Sequence, residues 1–281
     1  MKRLLILTLL VAGAACAGAV NRSTHIHITS GQNQSSSNSS QAREEIHQSY
    51  QLTPGAHLDI SGINGTVQIE TSDTNTAEID IVRTAGSRKD LDSTKIVIEH
   101  TANSLTIHGE NNQGFWRNLV RGEVKQQVIV RAPRQITLEA HGINGHVKIG
   151  EIEGGVDLSG INGGLEVAQA EGHSDIHGVN GGVTLNVKEL GKDGLEMSGI
   201  NGGVELRLAA DLNADLEAHG INGSVRSEIQ SVTVEKENRS NYYARIGAGG
   251  SPISINGING GVRLTAGTGQ TRAAASNGAG S

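Results

Sequence analysis

Apolar and polar residues alternate on both sides of a recurring four-residue break, Gly-[Ile/Val]-Asn-Gly, which begins at Gly62, Gly142, Gly160, Gly178, Gly199, Gly220 and Gly257. Counted from that first glycine, the second position before it holds Ile60, Ala140, Leu158, Ile176, Met197, Ala218 and Ile255, and the fifth after it holds Val67, Val147, Leu165, Val183, Val204, Val225 and Val262. The positions between are almost all polar or charged. A period of two on each side predicts two half-buried strands per repeat. The break predicts a corner: Asn followed by Gly suits positive φ, and the Ile or Val before it can fill the turn from inside. Asn-Gly between alternating runs is also a strong hairpin signal. The near-constant spacing of the corners from Gly142 through Gly160, Gly178 and Gly199 to Gly220 favours coils that stack in parallel.

The expected fold is therefore all-β, a single-stranded β-solenoid of stacked 18–21-residue coils with right-handed winding. One coil buries too little apolar surface to offset the ordering of its own backbone, so the copies must stack. Two longer intervals interrupt the repeat. The interval from Gly62 to Gly142 covers about four periods, with strand-like runs at 77–82, 95–100, 104–108 and 124–131. The interval from Gly220 to Gly257 covers about two periods, which predicts one coil without the motif.

Around the repeats the organisation reads as a signal peptide at residues 1–19, a Ser/Asn/Gln-rich linker at 20–48, the β domain at 49–265 and a Gly/Ala/Ser tail at 266–281. Lys2 and Arg3 precede the apolar run Leu4–Val11 and a small-residue cleavage region, so the chain is expected to be exported, to the periplasm or the cell surface. No later run is long enough to span a bilayer as a helix. Cys16, the only cysteine, offers a lipoprotein alternative and leaves no disulfide to staple the fold.

The repeated Gly-Ile-Asn-Gly-Gly-Val corners, with the strand–Pro turn–strand segment from Gln127 to Leu138, resemble the bacterial putative-adhesin family of β-strand-repeat proteins, close to the head GIN domains. The resemblance covers residues 50–265. It implies a β-helix-like stack in an exported protein with no catalytic residues to carry over.

Composition narrows the function classes. A net charge of -6 and 19% charged residues argue against nucleic acid as a partner. The seven corner residues Asn64, Asn144, Asn162, Asn180, Asn201, Asn222 and Asn259 are expected to form a hydrogen-bonded ladder. Outward positions hold a second pattern. The third position before each corner holds Asp59, Glu139, Asp157, Asp175, Glu196 and Glu217, with Ser254 in the last repeat. The position just before alternates Ser61, His141, Ser159, His177, Ser198, His219 and Asn256. The acids with His141, His177 and His219 form a candidate binding face, set against a plain solvated surface. With the histidines two coils apart, about 9–10 Å, no two easily share one metal ion. Phe115 and Trp116 are a candidate aromatic contact, set against a cover for the core.

Ser, His and Asp recur as columns, with no nucleophile elbow and no phosphate-binding glycine motif, so neither a catalytic residue, a cofactor nor a metal is assigned. The expected function is a non-enzymatic, adhesin-like scaffold whose partner is an envelope or cell-surface protein or a polysaccharide. The alternatives are a carbohydrate-active β-helix enzyme using the acidic stripe and a cation-binding solenoid.

Overall fold

The computed structural model describes residues 41–111 and 123–267. The signal segment, Cys16, Phe115, Trp116 and most of the tail lie outside the described residues.

The strands in chain order begin with β1 (Ala42–Gln51), β2 (Ala56–Ser61), β3 (Gly65–Ser72) and β4 (Thr76–Ala85). A one-turn helix α1 (Arg88–Leu91) leads to β5 (Thr94–His100), β6 (Ser104–Asn111) and β7 (Lys125–Pro133). The repeats follow as strand pairs: β8 (Ile136–Ile143) with β9 (Val147–Ile152), β10 (Val156–Ile161) with β11 (Leu165–Ala170), and β12 (Ser174–Val179) with β13 (Val183–Val187). Next come β14 (Leu195–Ile200) with β15 (Val204–Leu208), and β16 (Ala214–His219) with β17 (Val225–Ser227). The chain ends with β18 (Val234–Lys236), β19 (Tyr242–Ile246), β20 (Ser251–Ile258) and β21 (Val262–Ala266).

These strands build two mixed sheets, and neither closes into a barrel. Sheet A runs β1-β4-β7-β3-β9-β11-β13-β15-β21-β17, and sheet B runs β18-β19-β16-β20-β14-β12-β10-β8-β2-β6-β5. Each corner repeat gives its first strand to sheet B and its second to sheet A, and equivalent residues of neighbouring repeats pair in parallel. Leu158, for example, lies between Ala140 and Ile176, and Leu185 between Val167 and Leu206. The inward columns are sealed: Leu158, Met197 and Leu206 are completely buried.

Three expectations are corrected. The long stretch after the first corner is not four coils inserted in the stack: β2 pairs directly with β8 and β3 with β9. That stretch lies beyond the first repeat, where β6 and β7 pair in parallel with β2 and β3, while β4 and β5 add in antiparallel sense. The interval between Gly220 and Gly257 holds no extra coil either. Its β18 and β19 pair in antiparallel sense outside β16, and the Gly257 repeat returns to lie between the Gly199 and Gly220 repeats. An antiparallel strand reverses the chain's course, which lets the last repeat re-enter the stack one layer back. Finally, β1 begins at Ala42, inside the stretch read as linker. Its Glu44 meets the buried guanidinium of Arg83, which also donates to Leu91 O (2.8 Å) and Thr94 O (2.7 Å).

The corner glycines divide the work differently from the sequence reading. Positive φ falls on the first glycine, as at Gly199 (60°), and on no described non-glycine residue, so the Asn does not adopt it. The second glycine answers a contact. A Cβ on Gly202 would lie 2.2 Å from Gly181 O in the neighbouring repeat, and Gly163, Gly181, Gly223 and Gly260 meet their neighbours' carbonyls just as closely. The third glycine, where present, is open: a Cβ on Gly182 would come no closer than 3.8 Å to any atom outside its chain neighbours. Gly202→Ala is expected to destabilise by more than about 2 kcal/mol, since backbone must move apart to admit the methyl. Gly182→Ala should be neutral or stabilise by about 0.4–1 kcal/mol through a less flexible unfolded chain. Urea unfolding followed by circular dichroism separates the two.

Candidate functional site

The corners line one long side of the stack. Each Asn N–H donates to the Ile or Val carbonyl of the neighbouring corner, as from Asn180 to Ile161 O (2.8 Å) and Asn259 to Ile200 O (2.8 Å). The side-chain amides run in parallel with this. Asn144 Nδ2 donates to Asn64 Oδ1, Asn162 to Asn144, Asn180 to Asn162 and Asn201 to Asn180, each at 2.9 Å. Asn259 then donates to Asn201 (2.8 Å) and Asn222 to Asn259 (2.9 Å), following the spatial order and not the chain order. At the far end Asn64 Nδ2 donates to Val124 O (3.0 Å), while Gln126 Oε1 accepts from the Asn64 N–H (3.0 Å). All the dipoles point one way, so each bond polarises the next.

The candidate binding face lies on sheet B. In stack order the third-before column reads Thr106, Asp59, Glu139, Asp157, Asp175, Glu196, Ser254, Glu217. Asp59 through Glu196 are contiguous, and Ser254 separates Glu217 from them because the last repeat is inserted there. The adjoining column reads His108, Ser61, His141, Ser159, His177, Ser198, Asn256, His219. His177 and His219 are therefore three layers apart, where two were expected. His108 and Thr106 belong to the same columns and were missed. The signal was present, since Ser104-Leu-Thr-Ile-His-Gly109 repeats the in–out spacing of the corner strands without the Asn.

Among the described residues, imidazoles are the only cationic partners these acids meet. His141 Nδ1 lies 3.5 Å from Glu139 Oε1 and 3.8 Å from Asp59 Oδ1, and His57 Nε2 lies 3.5 Å from Glu139 Oε2. His177 stands 3.5 Å from Asp175, and His219 3.8 Å from Glu217. Asp59 Oδ1 and His141 Nδ1 are both shielded from solvent and make no hydrogen bond. Among the described residues, no group of three or more His, Cys, Asp and Glu side chains is arranged to hold a metal ion.

Sheet A treats its acids in the opposite way. Arg131 reaches Glu70 (2.9 Å), Asp80 (3.3 Å) and Glu78 (3.6 Å), and Arg134 bridges Asp73 and Glu151, both at 2.8 Å. Lys188 closes on the same Glu151. The Lys188 hydrogen bond, then its charge and that of Arg134, hold the Glu151 carboxyl below the usual carboxylate range against a smaller desolvation effect. At one end of sheet B, Arg245, the Gly250 N–H and the Tyr243 hydroxyl do the same for Asp215. Tyr242 is buried and donates to Gly223 O (3.3 Å), so the pair closes this end of the core.

A shallow groove of about 470 Å³ runs beside the amide ladder on sheet A, floored by Gly182, Gly203 and Gly261 and walled by Glu205, Arg226 and Arg263. No helix among the described residues is long and apolar enough to cross a membrane.

No protein-family model matches the chain. No curated protein matches it either. Solved structures do resemble it. A putative cell adhesion protein from Clostridium sporogenes is 13% identical with a TM-score of 0.41, over 79% of this chain and 99% of that one. A putative adhesin from Bacteroides fragilis is 13% identical with a TM-score of 0.35, over 79% and 97%. A putative lipid binding protein from Parabacteroides distasonis is 11% identical with a TM-score of 0.28, over 79% and 94%. A likeness at these levels speaks to neither partner nor activity.

Two outcomes follow from this geometry. Asn180→Ala removes two ladder bonds and is expected to cost about 1–3 kcal/mol, whereas Asn222→Ala removes one and should cost about half as much. Chemical denaturation of both variants tests the ratio. Glu151→Gln should lower the melting temperature at neutral pH. A carboxylate whose folded pKa is depressed stabilises above its unfolded pKa and loses that contribution as pH falls through the folded value, so the gap between variant and wild type should close in acid.

Proposed function

We propose that this chain is a non-catalytic, exported scaffold, a β-solenoid whose sheet B face makes repeated contacts with an envelope or cell-surface protein or polysaccharide. One observation carries the reading: no Lys or Arg among the described residues pairs with Asp59, Glu139, Asp157, Asp175, Glu196 or Glu217, whereas the acids around Arg131 and Arg134 are neutralised. Carboxylates one strand apart, about 4.8 Å, repel each other and cost stability. A column that keeps this cost in a protein able to place cations elsewhere supports a role in contact. Such a face suits basic side chains or the hydroxyls of a glycan, met several times along one axis.

The acids of the column also share one environment. They are one strand apart, partly exposed and faced by imidazole alone. Acid–base cleavage of a glycan asks for two carboxyl groups whose surroundings push their proton affinities apart. The uniform column supports binding over turnover.

The test uses envelope extracts and a panel of cell-wall and acidic polysaccharides. Wild-type protein is expected to be retained without generating new reducing or unsaturated ends. The quadruple variant Glu139→Gln, Asp157→Asn, Asp175→Asn, Glu196→Gln should lose most of that retention, with an unchanged or higher melting temperature. Cleavage of any glycan, or full retention by the variant, would sink the reading.

A further inference from the structure

The two ends of the stack are built differently. At one end the outermost strands are β17 and β18, three residues each. At the other they are β1, ten residues, and β5, seven, and the apolar Ile46, Tyr50, Ile96 and Ile98 there pack on the core while remaining partly exposed. We propose that a second copy of this chain covers that end, pairing β1 with β1 and β5 with β5 in antiparallel sense about one twofold axis, so that both sheets run on through the dimer.

Backbone parity restricts the register. Leu52 N donates to Asn75 O (2.8 Å), continuing the β1–β4 ladder. Even-numbered residues of β1 therefore bond to β4, and the free edge presents Arg43, Glu45, His47, Ser49 and Gln51. Thr101 N donates to Ser104 O (2.8 Å) in the β5–β6 ladder, so the free edge of β5 presents Thr94, Ile96, Ile98 and His100. A symmetric pair must match edge-facing residues with edge-facing residues.

Charge then selects among the registers allowed. Centred on Ile46, β1 sets Glu45 against His47 of the second copy, twice, and Arg43 against Ser49. Centred on Glu45 it would oppose two carboxylates, and centred on His47 two imidazoles. Centred on Val97, β5 sets Lys95 against Glu99 of the second copy, twice, and Ile96 against Ile98. Each edge is self-complementary about a central apolar residue.

The two centres also agree with a single axis. β1 and β5 run in the same direction, since β1 is parallel to β3 through β4 and β7, and β5 opposes β6 and β2. They meet where Tyr50 stacks on His100, ring centroids 4.1 Å apart. Ile46 is four residues back from that contact and Val97 three, roughly 13 and 10 Å along the strands. An axis normal to the sheets can therefore pass close to both.

Sedimentation of the full chain tests the proposal, and a dimer is expected. Glu45→Arg faces His47 of the second copy with a like charge and should weaken association roughly tenfold, since it replaces two attractive rim pairs with repulsive ones. Adding His47→Glu to Glu45→Arg restores opposite charge and should restore the dimer. Both side chains point away from the core, so circular dichroism and melting should be unchanged. As an independent reading, Val97→Cys in a Cys16→Ser background should oxidise to a disulfide-linked dimer. A non-hydrogen-bonded antiparallel pair sets its Cα atoms about 4.5 Å apart, within disulfide range. A wild-type monomer at the highest soluble concentration overturns the proposal, as does a dimer that neither responds to the charge exchange nor cross-links at position 97. Residues 24–29 folding back to cover β1 would leave a monomer, and so falls under the first of these outcomes.

Discussion

The whole arrangement depends on a close approach of backbone to backbone at the corners. Gly181 O sits where a Cβ of Gly202 would have to be, and the same approach recurs along the stack. Only glycine lets adjacent turns come to strand spacing, and only at that spacing do the Asn N–H to Ile carbonyl bond and the amide bond beside it both form. Those bonds leave no freedom of register. A slip by one residue would turn Leu158, Ile176 and Met197 to solvent and bring their charged neighbours inside. The corner thus governs the core from its rim, although it contributes little apolar surface itself.

A register held so tightly makes the order of the layers an open matter. Every repeat offers the same corner and the same alternation, so any repeat can stack on any other. What decides the order lies outside the repeats. Arg83, buried against Glu44 and the Leu91 and Thr94 carbonyls, ties β1, β4 and the start of β5 together at one end. The β18–β19 hairpin turns the chain back at the other, and Gly257 enters a layer that its position in the chain does not suggest. Most pairings join residues distant in sequence, a topology that folds slowly because loop closure precedes the contacts that reward it.

How much of this was legible follows the same division. The alternation placed Leu158, Val167 and their equivalents inside and Asp157 and His141 outside, because period two is a local property. Strands at 95–100 and 104–108 were readable for the same reason. Layer order was not, since the interval from Gly220 to Gly257 could hold two periods or a hairpin with a return, and only pairing between β16, β19 and β20 distinguishes them. The corner glycines were assigned the right residue for the wrong reason at one position. Positive φ and close approach both demand glycine, and the sequence shows the demand without its cause. The Asp59 and His141 atoms that make no hydrogen bond were likewise beyond reach, because they arise from two repeats far apart in the chain.

The two faces show what the fixed register does to charge. Residues in equivalent positions must stack, so a column of like charges cannot be relieved by sliding. Sheet A avoids the problem by composition: the sixth position after the corner reads Gln68, Lys148, Glu166, Thr184, Glu205, Arg263, Arg226 in stack order. Signs are mixed, and a cation commonly stands beside an acid. The fold therefore does not require a column of one sign. Sheet B carries one nonetheless, from Asp59 through Glu196 without a break, and sets only half-exposed imidazoles against it. Solvent and salt screen such a column without abolishing its repulsion. Solubility alone would be served by the mixed pattern of sheet A. The difference between the faces is thus a property of the side chains and not of the architecture, which is why the acidic column, and not the corner beside it, is the part of the surface that calls for a partner.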